Sequence, residues 1–276
     1  MHDADAIDAR RDRTFRRLPS LRVAGPQRAI AFIDEVGLAS LFAYRQVNLP
    51  CLWVAVCGRR DPVFPHHSHH DPEVGLAWRL KDALPAAGKV FYGKLLRGRP
   101  TFVAWNLFPS VWRLFAPPGD YREAFRAGRL SPAARQILDA LHRQHPQETF
   151  ALKLAANLAR PSQRRAFDAA MAELQTTLHI CMAEVRYDPF TYVWDLVATR
   201  HAAHVRAARR IGEAQAAATV LRRYLEVVVA ATANDVALVV GGRARAEKAL
   251  STLAKQVDVG VPIRGRGGRW IVWREA

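Results

Sequence analysis

Residues 243–273, RARAEKALSTLAKQVDVGVPIRGRGGRWIVW, combine an amphipathic helix with two β-prone runs. Apolar residues recur at helical spacing up to Leu253, and the glycine-rich basic run 264–268 separates the two β-prone runs. Upstream, periodicity over 213–229 and a short apolar run at 235–239 predict two more helices. Three helices followed by a hairpin is the order of a winged helix-turn-helix, whose third helix and wing contact DNA.

The same order of elements recurs twice towards the N-terminus. In the middle of the chain, Ser131-Pro132 pairs an N-cap with a proline at the first helical position. The elements predicted there are helices at 132–143, 149–158 and 162–176 and strands at 178–185 and 190–196. Further upstream they are helices at 25–36, 49–56 and 71–84 and strands at 89–96 and 101–105.

The sequence therefore predicts a mainly helical α+β protein with three tandem winged helix-turn-helix domains and short β-hairpin wings. We name them the first (23–116), middle (117–207) and last (208–276) segments, and expect residues 1–22 to form a flexible tail of mixed charge. The first segment carries an insertion at 59–70 that is rich in His and Pro. The middle hairpin is less basic than the others, so packing against a neighbouring segment is an alternative to DNA contact.

The charge balance points to duplex DNA as the partner. The chain of 276 residues has 41 Lys and Arg against 25 Asp and Glu, a formal net charge of +16. A basic surface binds the phosphate backbone, although a composition bias without any ligand would raise the charge in the same way. The candidate DNA contacts are the arginines of the hairpin tips and third helices: Arg97, Arg99, Arg164, Arg165, Arg243, Arg245, Arg264, Arg266 and Arg269.

One polar and aromatic patch is predicted in the first segment. Trp78, Lys81 and Asp82 share a helix face because they lie three and four residues apart. Tyr92 and Lys94 are two residues apart on a strand and point to the same side. The patch is either a functional pocket, which His70 and Asp71 would join with Trp78, or an ion pair among packed aromatic rings.

No metal or cofactor is expected. His66, His67, His69 and His70 precede a helix start at Asp71, and a polar loop that caps this helix is favoured over a metal site. The sequence contains no phosphate-binding or dinucleotide-binding glycine motif, so no nucleotide cofactor is predicted. Three scattered cysteines, a polar N-terminus and the lack of a long apolar run predict a cytoplasmic protein without a membrane partner, which we expect to be a monomer.

Local motifs resemble those of a known family. Glu35-Val36-Gly37, Pro50-Cys51-Leu52-Trp53, His70-Asp71-Pro72 and Tyr92-Gly93-Lys94-Leu95-Leu96 are similar to AlkZ-related proteins, distant relatives of the AlkZ/YcaQ-type crosslink-repair DNA glycosylases. The similarity continues into the middle segment with Gly128-Arg129-Leu130-Ser131 and with AMAELQ at 170–175. The resemblance implies tandem winged helices around a DNA channel and, in the glycosylases, removal of an alkylated base.

The resemblance does not supply a catalytic residue. The glycosylases carry a Gln-apolar-Asp or Gln-apolar-Gln motif shortly after the first helix of their first domain, where this chain has LASLF at 38–42. Base removal needs a carboxylate or amide near the sugar. The substitute catalytic candidates are Asp82 and its predicted neighbours Lys81, Tyr92 and Lys94.

Three functional hypotheses follow. The first is a DNA-binding protein that acts as a divergent glycosylase on alkylated or bulky lesions. The second is a non-catalytic winged-helix protein, a transcription regulator or an architectural factor, which prefers a sequence rather than a lesion. The third is a set of protein-interaction modules whose charge is incidental, in which case binding depends little on salt.

Overall fold

The chain is an α+β protein, as predicted. The computed structural model describes residues 2–66 and 70–274, and within them the chain forms fourteen α-helices and ten β-strands in three sheets. His67 and His69 of the predicted His-rich loop lie outside the described residues. None of the helices in these two ranges has the length and apolar character needed to cross a bilayer.

The first 22 residues do not form the tail that the sequence predicts. Strand β1 (His2–Asp3) leads into helix α1 (Ala4–Thr14), which lies against the last segment. Arg11 of α1 is buried and donates hydrogen bonds of 2.7 Å to the backbone oxygens of Val228 and Ala230. Burial lowers the pKa of Arg11 to about 10, so its guanidinium is still charged at neutral pH. Through these long-range hydrogen bonds, the N-terminal stretch is fixed to the last segment.

The first segment is built around a three-stranded sheet in the order β2-β4-β3. The helix that begins at Pro72 has a side-chain cap: the Asp71 carboxylate accepts from the Glu73 and Val74 amides. Gly37 ends the helix that covers Pro26–Val36 and has φ +76°. A Cβ at this position would lie 2.8 Å from the Arg223 side chain. The elements are α2 (Pro26–Val36), β2 (Leu38–Ser40), α3 (Leu52–Cys57), α4 (Pro72–Ala86), β3 (Phe91–Lys94), β4 (Pro100–Val103) and α5 (Phe108–Phe115).

The middle segment follows the predicted order of elements. The Ser131 hydroxyl accepts from the Ala134 amide, which confirms the predicted N-cap. The hairpin is joined by a third short strand in the order β5-β7-β6. The elements are α6 (Tyr121–Arg126), α7 (Pro132–Arg143), β5 (Gln147–Glu148), α8 (Thr149–Ala155), α9 (Arg164–Thr176), β6 (Ile180–Tyr187), β7 (Phe190–Leu196), α10 (Val197–Arg200) and α11 (Ala202–Arg209).

The last segment forms the three helices and the hairpin predicted from its sequence. Thr232 and Asp235 exchange hydrogen bonds in a capping box, and Gly241 ends the same helix in the left-handed conformation. Its sheet has the order β1-β9-β10-β8, with β1 parallel to β9. The elements are α12 (Glu213–Val228), β8 (Ala230–Ala231), α13 (Ala233–Val240), α14 (Arg243–Thr252), β9 (Val257–Arg264) and β10 (Arg266–Trp273).

The first and last segments share one hydrophobic core. A continuous cluster of buried side chains reaches from Phe32 and Phe102 in the first segment to Leu221 and Leu253 in the last. Helix α12 lies at its centre and contacts α5, α13 and α14. Most of the middle segment packs around a second cluster of its own, which includes Leu138. The position of the middle segment therefore depends on contacts at its border with the other two.

Candidate nucleic-acid interface

Lys81 and Asp82 form a buried ion pair on α4. Their side chains are 3% and 11% exposed, and Lys81 Nζ lies 2.6 Å from Asp82 Oδ1. Lys81 Nζ also lies 5.0 Å from the centre of the Trp78 ring, which confirms that these residues share one helix face. A charge removed from water in this way is stable only with partners on several sides.

Two tyrosines of the middle hairpin supply the remaining partners. Lys81 Nζ donates a 2.8 Å hydrogen bond to the Tyr192 hydroxyl, and the Tyr187 hydroxyl donates a 3.1 Å hydrogen bond to Asp82 Oδ2. Strand β6 packs along α4 at this point. The middle hairpin thus packs against a neighbouring segment, one of the two possibilities open from the sequence.

Tyr92 and Lys94 have different surroundings: Tyr92 packs beside Lys81, and Lys94 is exposed. Tyr92 lies within the cluster, with its ring centre 6.0 Å from Lys81 Nζ and 5.1 Å from the Phe102 ring centre. Burial raises the pKa of the Tyr92 hydroxyl well above its ordinary range, so the phenol stays neutral. Lys94 is exposed, and its backbone oxygen accepts a hydrogen bond from Thr176.

The His-rich loop contributes a helix cap. Asp71 uses its carboxylate on the first amides of α4, and His70 is exposed beside it. Neither residue has a hydrogen bond or ring contact with Trp78 in the described ranges. Among the same residues there is no group of three His, Cys, Asp or Glu side chains that could hold a metal ion.

A chain of ring contacts runs through Trp78 and across Lys81. Trp53 contacts Phe64 at 5.1 Å between ring centres, and Phe42 contacts both Phe64 and Trp78 at 5.5 and 5.4 Å. Beyond Lys81 the contacts continue through the middle hairpin. We call this set the aromatic strip; its members are Phe42, Trp53, Phe64, Trp78, Tyr187, Phe190 and Tyr192.

Four members of the aromatic strip reach solvent. Phe64 and Trp78 are 48% and 45% exposed, and Tyr187 and Phe190 are 65% and 58% exposed. A contiguous set of exposed rings, unlike a single exposed ring, is typical of a surface that meets a ligand or partner. Because the two halves of the strip come from different segments, their continuity depends on the hydrogen bonds of Lys81 with Tyr192 and of Asp82 with Tyr187.

A cleft of about 860 Å³ opens beside one end of the aromatic strip. Trp53 and Phe64 line it together with Arg17 and Arg45. The Arg17 guanidinium lies 4.5 Å from the Phe15 ring centre, and burial lowers its pKa. This end of the strip therefore combines aromatic surface with positive charge.

The basic tip of the last hairpin is paired within the protein. Arg264 contacts Asp3, and Arg266 donates a 2.6 Å hydrogen bond to Asp8, so the acids of the N-terminal stretch neutralise two of its three arginines. Arg269 is exposed and donates to the Gly260 backbone oxygen. Reversing the charge of Arg264 or Arg266 would therefore disturb the N-terminal docking as well as any DNA contact.

The other arginines that are predicted to contact DNA differ in their exposure and in their contacts within the protein. Arg245 is held by Glu213 and the Leu114 backbone oxygen, and Arg164 lies 3.8 Å from Asp168 at an exposed helix start. Arg99 lies over the Tyr44 ring at 5.0 Å. The predicted contacts that are exposed side chains are Arg97, Arg99, Arg164, Arg165, Arg243, Arg264 and Arg269.

Comparisons with known proteins give the chain a family. A family model described as AlkZ related matches residues 23–241. The chain belongs to the AlkZ-related family. Its fold is similar to that of the Streptomyces sahachiroi DNA glycosylase AlkZ, with a TM-score of 0.59 and 14% sequence identity over 99% of this chain and 70% of that one. A search of curated proteins gave no match.

In this AlkZ-related protein, the stretch where the resemblance places the glycosylase motif begins with a buried strand. Leu38, Ala39 and Ser40 form β2 and pair with Val103, Phe102 and Thr101 of β4. All three are at most 4% exposed, and the Ser40 hydroxyl donates to the Pro50 backbone oxygen at 3.3 Å. The strand therefore presents neither a carboxylate nor an amide side chain.

Sequence patterns missed the tyrosines that complete the site. Tyr187 and Tyr192 stand in the predicted middle hairpin, but no local pattern shows that they contact α4, more than a hundred residues away. Their enrichment in one short hairpin, together with Phe190 and a weakly basic tip, is the available signal. Aromatic side chains on a wing favour packing or stacking over phosphate contact.

The buried pair makes a stability prediction. Lys81→Met leaves Asp82 buried without its cation, and we expect a loss of about 3 kcal/mol in the free energy of unfolding, measured with urea. The double variant Lys81→Met with Asp82→Leu removes both charges and should recover most of this loss. A single variant as stable as the wild type would contradict the structural role of the pair.

Proposed function

We propose that this protein binds duplex DNA through three winged-helix domains and recognises a base that has left the helical stack, without removing it. The observation that carries the proposal is the aromatic strip, which crosses the border between the first and middle segments. Membership of the AlkZ-related family and the fold similarity to a DNA glycosylase support DNA as the partner.

The aromatic strip suits an unstacked base. Exposed aromatic rings stack on nucleobases irrespective of their sequence, with about 1–3 kcal/mol per base. Trp78 and Phe190 present half-exposed rings on either side of the Lys81–Tyr192 contact. Bases in an intact duplex already stack on their neighbours, so a damaged or unpaired nucleotide costs least to expose.

Exposed arginines supply the phosphate contacts. Arg97 and Arg99 stand at the tip of the first hairpin, and Arg165 and Arg243 stand at the starts of α9 and α14, which would be the recognition helices of winged-helix domains. Contacts to phosphate position a protein on DNA without reading its sequence. We assign the main phosphate contacts to the first and middle segments, because the last hairpin uses two arginines within the fold.

Base removal finds little support in the residues. The chemistry requires a carboxylate or amide beside the sugar. The motif position carries buried Leu38, Ala39 and Ser40, and Asp82 is paired with Lys81 and Tyr187 beneath the middle hairpin. We therefore assign Asp82 and Lys81 the role of holding the first and middle segments together. In this proposal Tyr92 packs beside the ion pair, and Lys94 takes no part in it.

Charge reversal at Arg97 tests the phosphate contact. Arg97→Glu should weaken binding to a fully paired duplex by about tenfold and lower the slope of log affinity against log salt by about one. Lys89→Glu is the matched control, since Lys89 is exposed beyond the opposite end of the same hairpin and the variant has the same net charge. Equal affinities of the two variants, measured by fluorescence anisotropy, would remove the first hairpin from the interface.

Truncation at Phe190 tests the recognition of an exposed base. Wild-type protein should bind a duplex with one unpaired nucleotide more tightly than a fully paired duplex, and Phe190→Ala should reduce this ratio about fivefold or more. Phe150→Ala is the control, because Phe150 is 66% exposed on α8, outside the strip. A ratio that Phe190→Ala leaves unchanged, or a preference for sequence instead of the unpaired nucleotide, would contradict the proposal.

A further inference from the structure

A second cavity, away from the aromatic strip, lies where the first segment joins the middle one. It has a volume of about 590 Å³ and lies against residues 116–121, which lead from α5 into α6. The other walls come from helices α5, α7, α10 and α11, the turn before β6 and the end of β7. Cavities of this size accommodate drug-sized ligands.

The walls offer flat aromatic surface. Tyr121 and His142 stack with ring centres 4.8 Å apart and an angle of 7° between their planes. The Tyr121 hydroxyl donates a 2.6 Å hydrogen bond to Asp139, so the phenol is held in place. Trp112 and Pro118 add apolar surface. A planar ligand fits such a wall better than a branched one.

His179 presents a hydrogen-bond acceptor. The Thr177 hydroxyl donates its hydrogen to the Glu173 backbone oxygen, so it can only accept in its other contact. That contact is 2.8 Å long and joins Thr177 Oγ1 to His179 Nδ1, so Nδ1 must carry the ring proton. Burial lowers the pKa of His179 to about 4, which keeps the ring neutral. The lone pair therefore sits on Nε2, which accepts no hydrogen bond from the described residues.

The charge around the cavity is mainly positive. Arg209 is exposed at its edge, and Arg113 uses Nε on the Ile211 backbone oxygen. The carboxylate among the lining residues, Asp120, accepts from the Arg122 amide and lies 3.8 Å from the Arg122 guanidinium. No acid in the described part of the chain pairs with Arg209, so an anionic group of a ligand could contact this cation.

We propose that this cavity binds a planar heteroaromatic anion, whose ring N–H donates to His179 Nε2 and whose acidic group contacts Arg209. Two sources share this chemistry, a free heteroaromatic carboxylate and a nucleotide with a ring N–H. The site is separate from the aromatic strip and does not depend on DNA binding by the protein.

Matched probes test the two contacts by titration calorimetry on the full-length protein. Indole-3-acetate carries the ring N–H and the acid, 1-methylindole-3-acetate lacks the N–H, and indole-3-ethanol lacks the charge. We expect each of the two incomplete probes to bind about tenfold more weakly than the complete one. Deoxyguanosine monophosphate represents the nucleotide source, and the tighter of the two complete probes identifies the source.

Substitutions at the edge of the cavity locate the binding. Arg209→Gln should weaken the binding of indole-3-acetate and 1-methylindole-3-acetate about tenfold and leave the affinity for indole-3-ethanol unchanged. Arg206→Gln, an exposed change on the same helix, should have no effect. Ala198→Trp, at an exposed lining position, should abolish binding of all probes by filling the space.

Two results would overturn the proposal. One is that neither complete probe binds at millimolar concentration. The other is that Arg209→Gln and Ala198→Trp bind the complete probe as tightly as the wild type does. Duplex affinity and the midpoint of thermal unfolding should be the same in Arg209→Gln and the wild type, so failure of this proposal would be distinct from failure of DNA binding.

Discussion

The ion pair between Lys81 and Asp82, with its tyrosine partners, is the contact on which the surface of this protein depends. The first and last segments are joined by one continuous apolar core, whereas most of the middle segment packs around a core of its own and adds only residues such as Leu178 and Val205 to the shared one. Separating a buried charge pair from its partners is costly, because each charge is left buried without compensation. Tyr187 and Tyr192 are partners of this pair, and so set the middle hairpin against α4.

The aromatic strip is a consequence of this docking. Phe42 and Trp78 belong to the first segment and Phe190 to the middle hairpin, and Lys81 bridges them through its contacts with Trp78 and Tyr192. Neither half alone is a long stacking surface. The same ion pair holds Asp82 between Lys81 and Tyr187. In the proposed function, Asp82 therefore has a structural role in place of a catalytic one.

Local sequence patterns predicted the helices and hairpins well, but they did not predict which elements contact each other. The cap at Ser131 and the three hairpins lie where the sequence predicts them, because capping and turn formation depend on residues close in the chain. The docking of α1 was missed because Arg11 bonds to backbone more than two hundred residues away. For the same reason, a tip that looks basic in sequence is largely neutralised in the fold.

We propose that this protein holds damaged DNA without cutting the base from its sugar. The most direct measurement is base release from a duplex treated with a methylating agent, with protein in excess and binding followed in the same samples. We expect the duplex to be bound while free base appears only at the rate of the protein-free control. Release of base that depends on the protein would contradict the proposal, and its loss in Asp82→Asn would assign the reaction to Asp82.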